Sequence, residues 1–314
     1  MTTELFPDLP YDSWTATRET LHRFVQVVGK VRLAASPRRN HWWNVPLHLT
    51  GRGLTTRPMS VDGALVFAID LDLVDHRLEI ATSRGTRTSF PLTGRSVAVF
   101  HADLTAALAA LGVEVEIADP RPFDLPDHDR PFAQDTEHAT YDPAAVTRYW
   151  TVLGQVNMVL EAFAADFAGK TSPVHHFWHT FDIAVTRFSD RVVEHGPAVD
   201  PITREAYSRE VVSAGFWFGD PVTREPAFYS YTAPEPAGVA EEPLRPAAAT
   251  WREAGSSHLA VLTYADARAT ADPRATVLDF YESAYRAGAG RARWDLEALA
   301  APGGVTDPRR DLSR

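Results

Sequence analysis

The sequence predicts an α+β fold made of two related halves. Each half is a helix, a run of antiparallel strands and a closing helix, and the halves are able to share one sheet. Three observations lead there. A shift of 136 positions (150 − 14) lays Trp14 on Trp150, Trp42 on Trp178 and Ser36-Pro37 on Ser172-Pro173. In the same register Val45, Leu47 and Leu49 fall on Phe181, Ile183 and Val185 without a gap. Each half also passes from apolar spacings of three and four to alternation with period two, the patterns of a helix and of half-buried strands.

In the first half, Trp14, Thr17, Leu21, Phe24, Val28, Val31 and Ala35 mark one helix face. Ser13 or Asp12 is placed to cap its start. Pro37 ends it, because proline disfavours helix for the residue before it. Strands are predicted at Val45–Thr50, Val66–Leu73, Leu78–Ala81 and Thr88–Leu92, with a tight turn at Asp75-His76 and the Asp70/Asp72/Asp75 run facing solvent. A helix over Val97–Leu111 closes the half, with Gly112 as its C-cap. The second half repeats the order. Its opening helix carries Trp150, Leu153, Leu160, Ala164 and Phe167, and its strands fall at Phe181–Thr186, Gly215–Phe218, Ala227–Thr232 and Leu259–Thr263. Asp272-Pro273 starts a final helix over Thr276–Ala287. The division expected is a first repeat over 1–116, a Pro-rich connector over 117–141, a second repeat over 142–300 and a flexible tail over 301–314.

Bulk properties exclude several functions. The chain has no cysteine, so disulfides, thiolate catalysis and Cys-ligated metals are out of reach. A net charge of −10 argues against nucleic acid as the partner, since phosphate contacts need clustered Lys and Arg. The N-terminal stretch lacks the basic and apolar regions of a signal peptide, and no apolar run is long enough to span a membrane. A cytoplasmic protein with a small-molecule ligand is expected, and its oligomeric state is left open.

The stretches LPYDSW, NHWWNVPLHLTGRGLTT, IDLDLVDHRLEI, SPVHHFWHTFDIAVTRFSDR, TREAYSREVVSAGFWFG and AFYSYTAPEP resemble a bacterial family known as domain of unknown function 5996. The resemblance runs over about residues 9–295. It implies no activity, cofactor or catalytic residue. It does imply that His175, the first histidine of SPVHHFWH, is the typical one at that motif.

The segment Ser172–Phe188 carries the leading candidate site, with His175, His176 and His179 followed by Asp182 and Arg187. Read as one extended strand, it places His175, Phe177, His179, Phe181, Ile183 and Val185 on a single face. His175 would then serve as an acid/base group, or His175 and His179 as ligands of a divalent metal, since neutral imidazole binds zinc, iron or copper. Glu210 or Glu235 would have to complete such a metal site. The bland alternative is a set of polar rim groups bonded to backbone. Tyr207 and Glu210 form a second catalytic candidate, because a carboxylate beside aromatics gains a raised pKa through desolvation. Arg187, with its planar fork, is placed to hold a substrate carboxylate. Tyr231 and Trp178 would wall the pocket, and Asn40 and His41 would complete it if the two Trp-bearing segments face one another. No dinucleotide-binding glycine motif, phosphate loop or nucleophile elbow is present. The function expected is a small-molecule enzyme or ligand-binding protein, metal dependence being open. Its rival is a non-catalytic interaction or scaffold protein.

Overall fold

The computed structural model describes residues 4–221 and 223–307. The fold is α+β, with six α-helices and two antiparallel sheets among the described residues. The chain forms two compact units, each assembled from separated stretches. Among the described residues no helix is long and apolar enough to cross a membrane.

The first unit holds residues 7–153 and also 175–182. Helix α1 spans Thr15–Ala35, and Leu21, Phe24, Val25, Val28 and Val31 on it are buried. Ser36 turns to extended backbone ahead of Pro37, and the helix stops there. Five strands follow in simple meander order: β1 (His48–Leu49), β2 (Gly53–Thr55), β3 (Phe67–Asp72), β4 (Arg77–Thr82) and β5 (Arg87–Pro91). The β3–β4 register pairs Ile69 with Ile80 and Leu71 with Leu78, and all four side chains are buried. Helix α2 (Val97–Ala110) is capped by the Ser96 side chain, which accepts from the Val99 amide. It packs on α1 through stacked rings of Phe24 and Phe100, 4.1 Å apart.

The Pro-rich segment after α2 is tied down by specific bonds. Val97 and Ala98 donate their amides to the carbonyls of His138 and Asp135. The Asp135 carboxylate in turn accepts from the amides of Glu137 and His138. Asp72 is buried and accepts from Val74, Asp75 and Arg52. That corrects the expectation of a solvent-facing position for Asp72, while Asp75 is exposed as expected and Asp70 is half-buried. The bend after β3 needs an acceptor, and Asp72 supplies it.

Helix α3 (Pro143–Ala165) belongs to the first unit up to Leu153 and to the second from Gly154. It ends well before Ser172, whereas α1 ends directly at Ser36. The second unit contains β7 (Asp182–Val192), whose first residue falls in the first unit. With it come β8 (Arg209–Trp217), β9 (Ala227–Ala233), β10 (Thr250–Ala254) and β11 (Ser257–Thr263), in the spatial order β10-β11-β9-β8-β7. Helix α6 (Pro273–Arg291) starts on an Asp272 cap with Pro273 in its first turn. It lies on this sheet closely enough for the Tyr281 hydroxyl to donate to the Gly215 carbonyl at 2.8 Å.

Residues Glu205–Glu210 do not form a continuous strand. Asp200 caps a short helix, α4 (Pro201–Ala206), by accepting from the amides of Ile202 and Thr203. Strand β8 begins only at Arg209, so Tyr207 and Arg209 do not share a strand face. Asp200-Pro201 is a helix-start pair that alternation alone overlooks. The part of the C-terminal tail within the described residues is anchored where Ala301 and Gly303 donate their amides to Asp166. Residues 308–314 of that tail lie outside the described residues.

Gly29 on α1 has the Trp178 ring directly above it. A Cβ there would sit 2.2 Å from the indole Cγ. The ring cannot slide away freely, because its Nε1 donates to the Val45 carbonyl at 3.0 Å. Gly29→Ala should gain up to about 1 kcal/mol in helix propensity and lose about 1–3 kcal/mol to overpacking. A lowered urea midpoint is expected, and parental stability would show that the indole is not seated on this glycine.

Candidate functional site

The site is built on a short strand, β6 (His175–Phe177), that belongs to the first unit. Leu47 and His176 exchange both backbone hydrogen bonds, each 2.9 Å. His176 is fully buried, and its Nε2 shares a 2.8 Å hydrogen bond with the Tyr149 hydroxyl. Burial pushes the Tyr149 hydroxyl well above the usual phenol value and lowers the imidazole to about 3, so both are neutral.

After Phe177 the chain turns rather than continuing as a strand. Phe181 donates its amide back to the Phe177 carbonyl at 2.7 Å and adopts φ 60°. Helix α1 captures the turn. His22 Nε2 lies 3.1 Å and 3.2 Å from the carbonyls of Trp178 and His179, which makes it the protonated nitrogen. Thr180 bonds the Asp182 carboxylate. The expectation of a single face running from His175 to Val185 is therefore corrected. His179 sits among the rings of Phe123, Phe177 and Trp178. His175 has Trp43, His48 and Phe177 as ring neighbours.

His175 is 2% exposed and its Nε2 has no hydrogen-bond partner. Its ring meets that of His48 edge-on at 5.1 Å. Arg32, from the last turns of α1, is 5% exposed and reaches His48 Nε2 at 3.5 Å, while its own Nε is buried without a partner. Arg39 and Arg57 act on the same group from its surroundings. His48 is lowered to about 3 by burial and then by Arg57, Arg32 and Arg39. Arg32 is lowered to about 10 by burial, Arg57 and Arg39. His175 is held well below the usual imidazole range by burial, His48 and the same three arginines.

Of the segment over 40–44, Trp43 approaches the His175 ring at 6.2 Å and the His41 ring at 5.6 Å. His41 and Trp42 both hold positive φ, 54° and 58°. Non-glycine residues seldom occupy that region. Asn40 is exposed at the start of this turn, and Asn44 accepts from the Arg39 amide.

The other candidates belong to the second unit, and their groups already have partners. The hydroxyls of Tyr207 and Tyr231 are 3.0 Å apart. Glu210 accepts from Trp294 Nε1, Ser189 and Arg191. Glu235 is bonded to His258. Arg187 is 1% exposed, bonds the Phe163 carbonyl, pairs with Glu282 at 3.5 Å and lies over the rings of Phe163 and Tyr285. It borders a cavity of about 250 Å³ shared with Asp166, Glu282, Tyr285 and Arg286, where two cations meet two carboxylates. A third grouping, Asp127, Asp135 and His138, has the spacing to hold a metal ion, but Arg23 is bonded to Asp127 and pairs with Asp135.

Sequence reading did not find Arg32, His48, Arg57 or His22. One of them left a trace: Arg32 follows Val28 by four on the apolar stripe of α1, whereas His48 holds an ordinary polar place in the alternation of Val45–Thr50. A model of a family of unknown function (DUF5996) matches residues 6–301. No curated protein and no solved structure matches the chain.

Two outcomes are expected. In the folded protein His22, His48 and His176 are each lowered to about 3, and His175 is lowered as well. The unfolded chain therefore binds more protons below about pH 6.5. The stability these groups contribute is complete above that pH and is lost as pH falls from about 6.5 toward 3, by about 1.4 kcal/mol per pH unit for each histidine. Urea unfolding between pH 7.5 and 5 should show this decline, and a flat profile would contradict the buried neutral histidines. Tyr149→Phe leaves His176 Nε2 without its partner and should cost about 1–3 kcal/mol by the same assay.

Proposed function

The chain belongs to a family of unknown function (DUF5996), and from that premise we propose that it is a small-molecule-binding protein, an enzyme or a ligand receptor, whose site surrounds His175. The observation that carries this reading is the His175 Nε2 atom, buried and without a hydrogen-bond partner. A buried polar atom left unpaired costs about 1–3 kcal/mol, a cost that a ligand's hydrogen bond would offset. The surroundings support the same reading. Trp43 and Phe177 give His175 aromatic walls, and His48 stands beside it as a second polar group. A few polar groups converging within an apolar frame is the usual make-up of a small-molecule site. Imidazole held neutral is also the form that serves as a general base, a hydrogen-bond donor or a metal ligand.

The contrast between adjacent histidines tests the proposal. His176→Ala removes a paired core group and should destabilise by about 2–4 kcal/mol. His175→Ala should cost much less, while removing the response of the melting temperature to any compound that stabilises the parent in a ligand screen. Elemental analysis of parent and His175→Ala covers the metal-dependent form, which expects near-stoichiometric metal lost in the variant. A His175→Ala protein that keeps every ligand response would sink the proposal and leave the interaction-protein reading.

A further inference from the structure

Resting on the His175 reading, we infer that the ligand carries a small oxyanion, a phosphate or carboxylate group, held by Arg32 with Arg39, Arg57, His48 and His175. The case is one of missing counter-charge. Among the described residues, the other buried cations face an oxygen partner. Arg23 faces Asp127 and Asp135, Lys30 faces Asp119 at 3.7 Å, Arg187 faces Glu282 and Arg18 bonds the Tyr11 hydroxyl. Arg32 is as deeply buried as these, yet the neighbour its guanidinium reaches is His48 Nε2 at 3.5 Å.

No carboxylate pairs with Arg32, Arg39 or Arg57 among the described residues, and the charges felt by Arg32 and His48 are all positive. Two buried nitrogens, Arg32 Nε and His175 Nε2, have no partner. A guanidinium presents a planar fork of donors that fits the two oxygens of a carboxylate or phosphate. A neutral imidazole with its proton on Nε2 adds one more donor. With two imidazoles and three guanidinium groups the group suits one compact anion. The chain's net charge of −10 opposes a long polyanion instead.

The test uses the full-length protein, with inorganic phosphate and succinate as probes and sodium chloride as the ionic-strength control. Calorimetry should find saturable binding of one of them, and a rise in melting temperature that chloride at the same ionic strength does not produce. Phosphate binding alone would identify a phosphate ligand, and succinate binding alone a carboxylate. Arg39 and Arg57 are both exposed. Arg39→Gln/Arg57→Gln should therefore fold normally and bind the anion at least tenfold more weakly. Arg32→Met should melt no lower than the parent without anion and lose the binding, whereas Arg23→Met, which breaks an ion pair, should melt well below it. Failure of both probes to bind the parent up to tens of millimolar would overturn the inference. So would an Arg32→Met protein as unstable as Arg23→Met. An uncharged compound whose binding is lost in His175→Ala, with neither anion bound, would overturn the oxyanion while leaving the His175 site standing.

Discussion

The first unit depends on how helix α1 takes hold of a segment that arrives from far along the chain. Residues 175–182 join the unit more than a hundred positions after α1 ends. Closing so long a loop has an entropic cost that grows only slowly with length, so a few well-made contacts can offset it. The Trp178 indole fits over Gly29 because that residue has no Cβ, and its Nε1 reaches the Val45 carbonyl. His22 donates to the carbonyls of Trp178 and His179, and Gln26 donates to that of His179 as well, so both carbonyls are satisfied. With the turn fixed, His176 is drawn into pairing with Leu47 and Tyr149, and His175, on the alternate side of the strand, is directed toward His48. One capture thus sets both a core histidine and a site histidine.

Neighbouring histidines with the same burial therefore have different status. His176 is bonded through Nε2 to a buried hydroxyl, with its Nδ1 left without a partner, and contributes to the unit as a core polar pair. His175 has no such partner at Nε2 and stands beside a cationic group that lacks a carboxylate. Burying a charge without a partner costs several kcal/mol even after relaxation, on the order of a large share of a domain's net stability. A fold carries such a cost where binding needs it, and among the described residues the buried Arg23 and Arg187 each pair with a carboxylate. The two consecutive left-handed residues, His41 and Trp42, lie in the segment next to the same histidine. Conformational cost of about 1–3 kcal/mol per strained residue tends to gather at functional sites.

Much of the architecture is legible in the sequence because its elements obey simple periods. The α1 stripe, the β3–β4–β5 meander and the Gly112-ended α2 follow from spacing and caps, and the structure finds them within a residue or two. Helix α4 was missed because six residues are too few to show a period, so only Asp200-Pro201 announces it. The break after Phe177 was missed because Trp178–Phe181 contains neither glycine nor proline. The turn is imposed by His22 and the Trp178 pocket, partners 133 to 157 positions distant that no local pattern reports. His175 itself was visible as part of a histidine-rich stretch. Arg32 and His48 were not, because a lone cation on a helix stripe and a lone histidine in a strand look like ordinary amphipathic edges until the fold brings them together.

The charge around His175 also bears on what the imidazoles can bind. Two neutral imidazoles edge to edge have the chemistry of a divalent-metal site, and sequence alone favours pairing His175 with His179 for that purpose. In the fold His175 has His48 beside its ring and feels the charge of three arginines. A divalent cation several ångströms from each guanidinium would meet repulsion on the order of a few kcal/mol apiece at an effective dielectric of about 20. An anion in the same place gains attractions of like size and supplies the acceptor that Arg32 Nε lacks. Burial first, and the arginines after it, keep these imidazoles neutral, and such an anion would offset the arginines' charge. A bound oxyanion would then raise the proton affinity of both histidines, so that ligand charge and imidazole protonation strengthen one another.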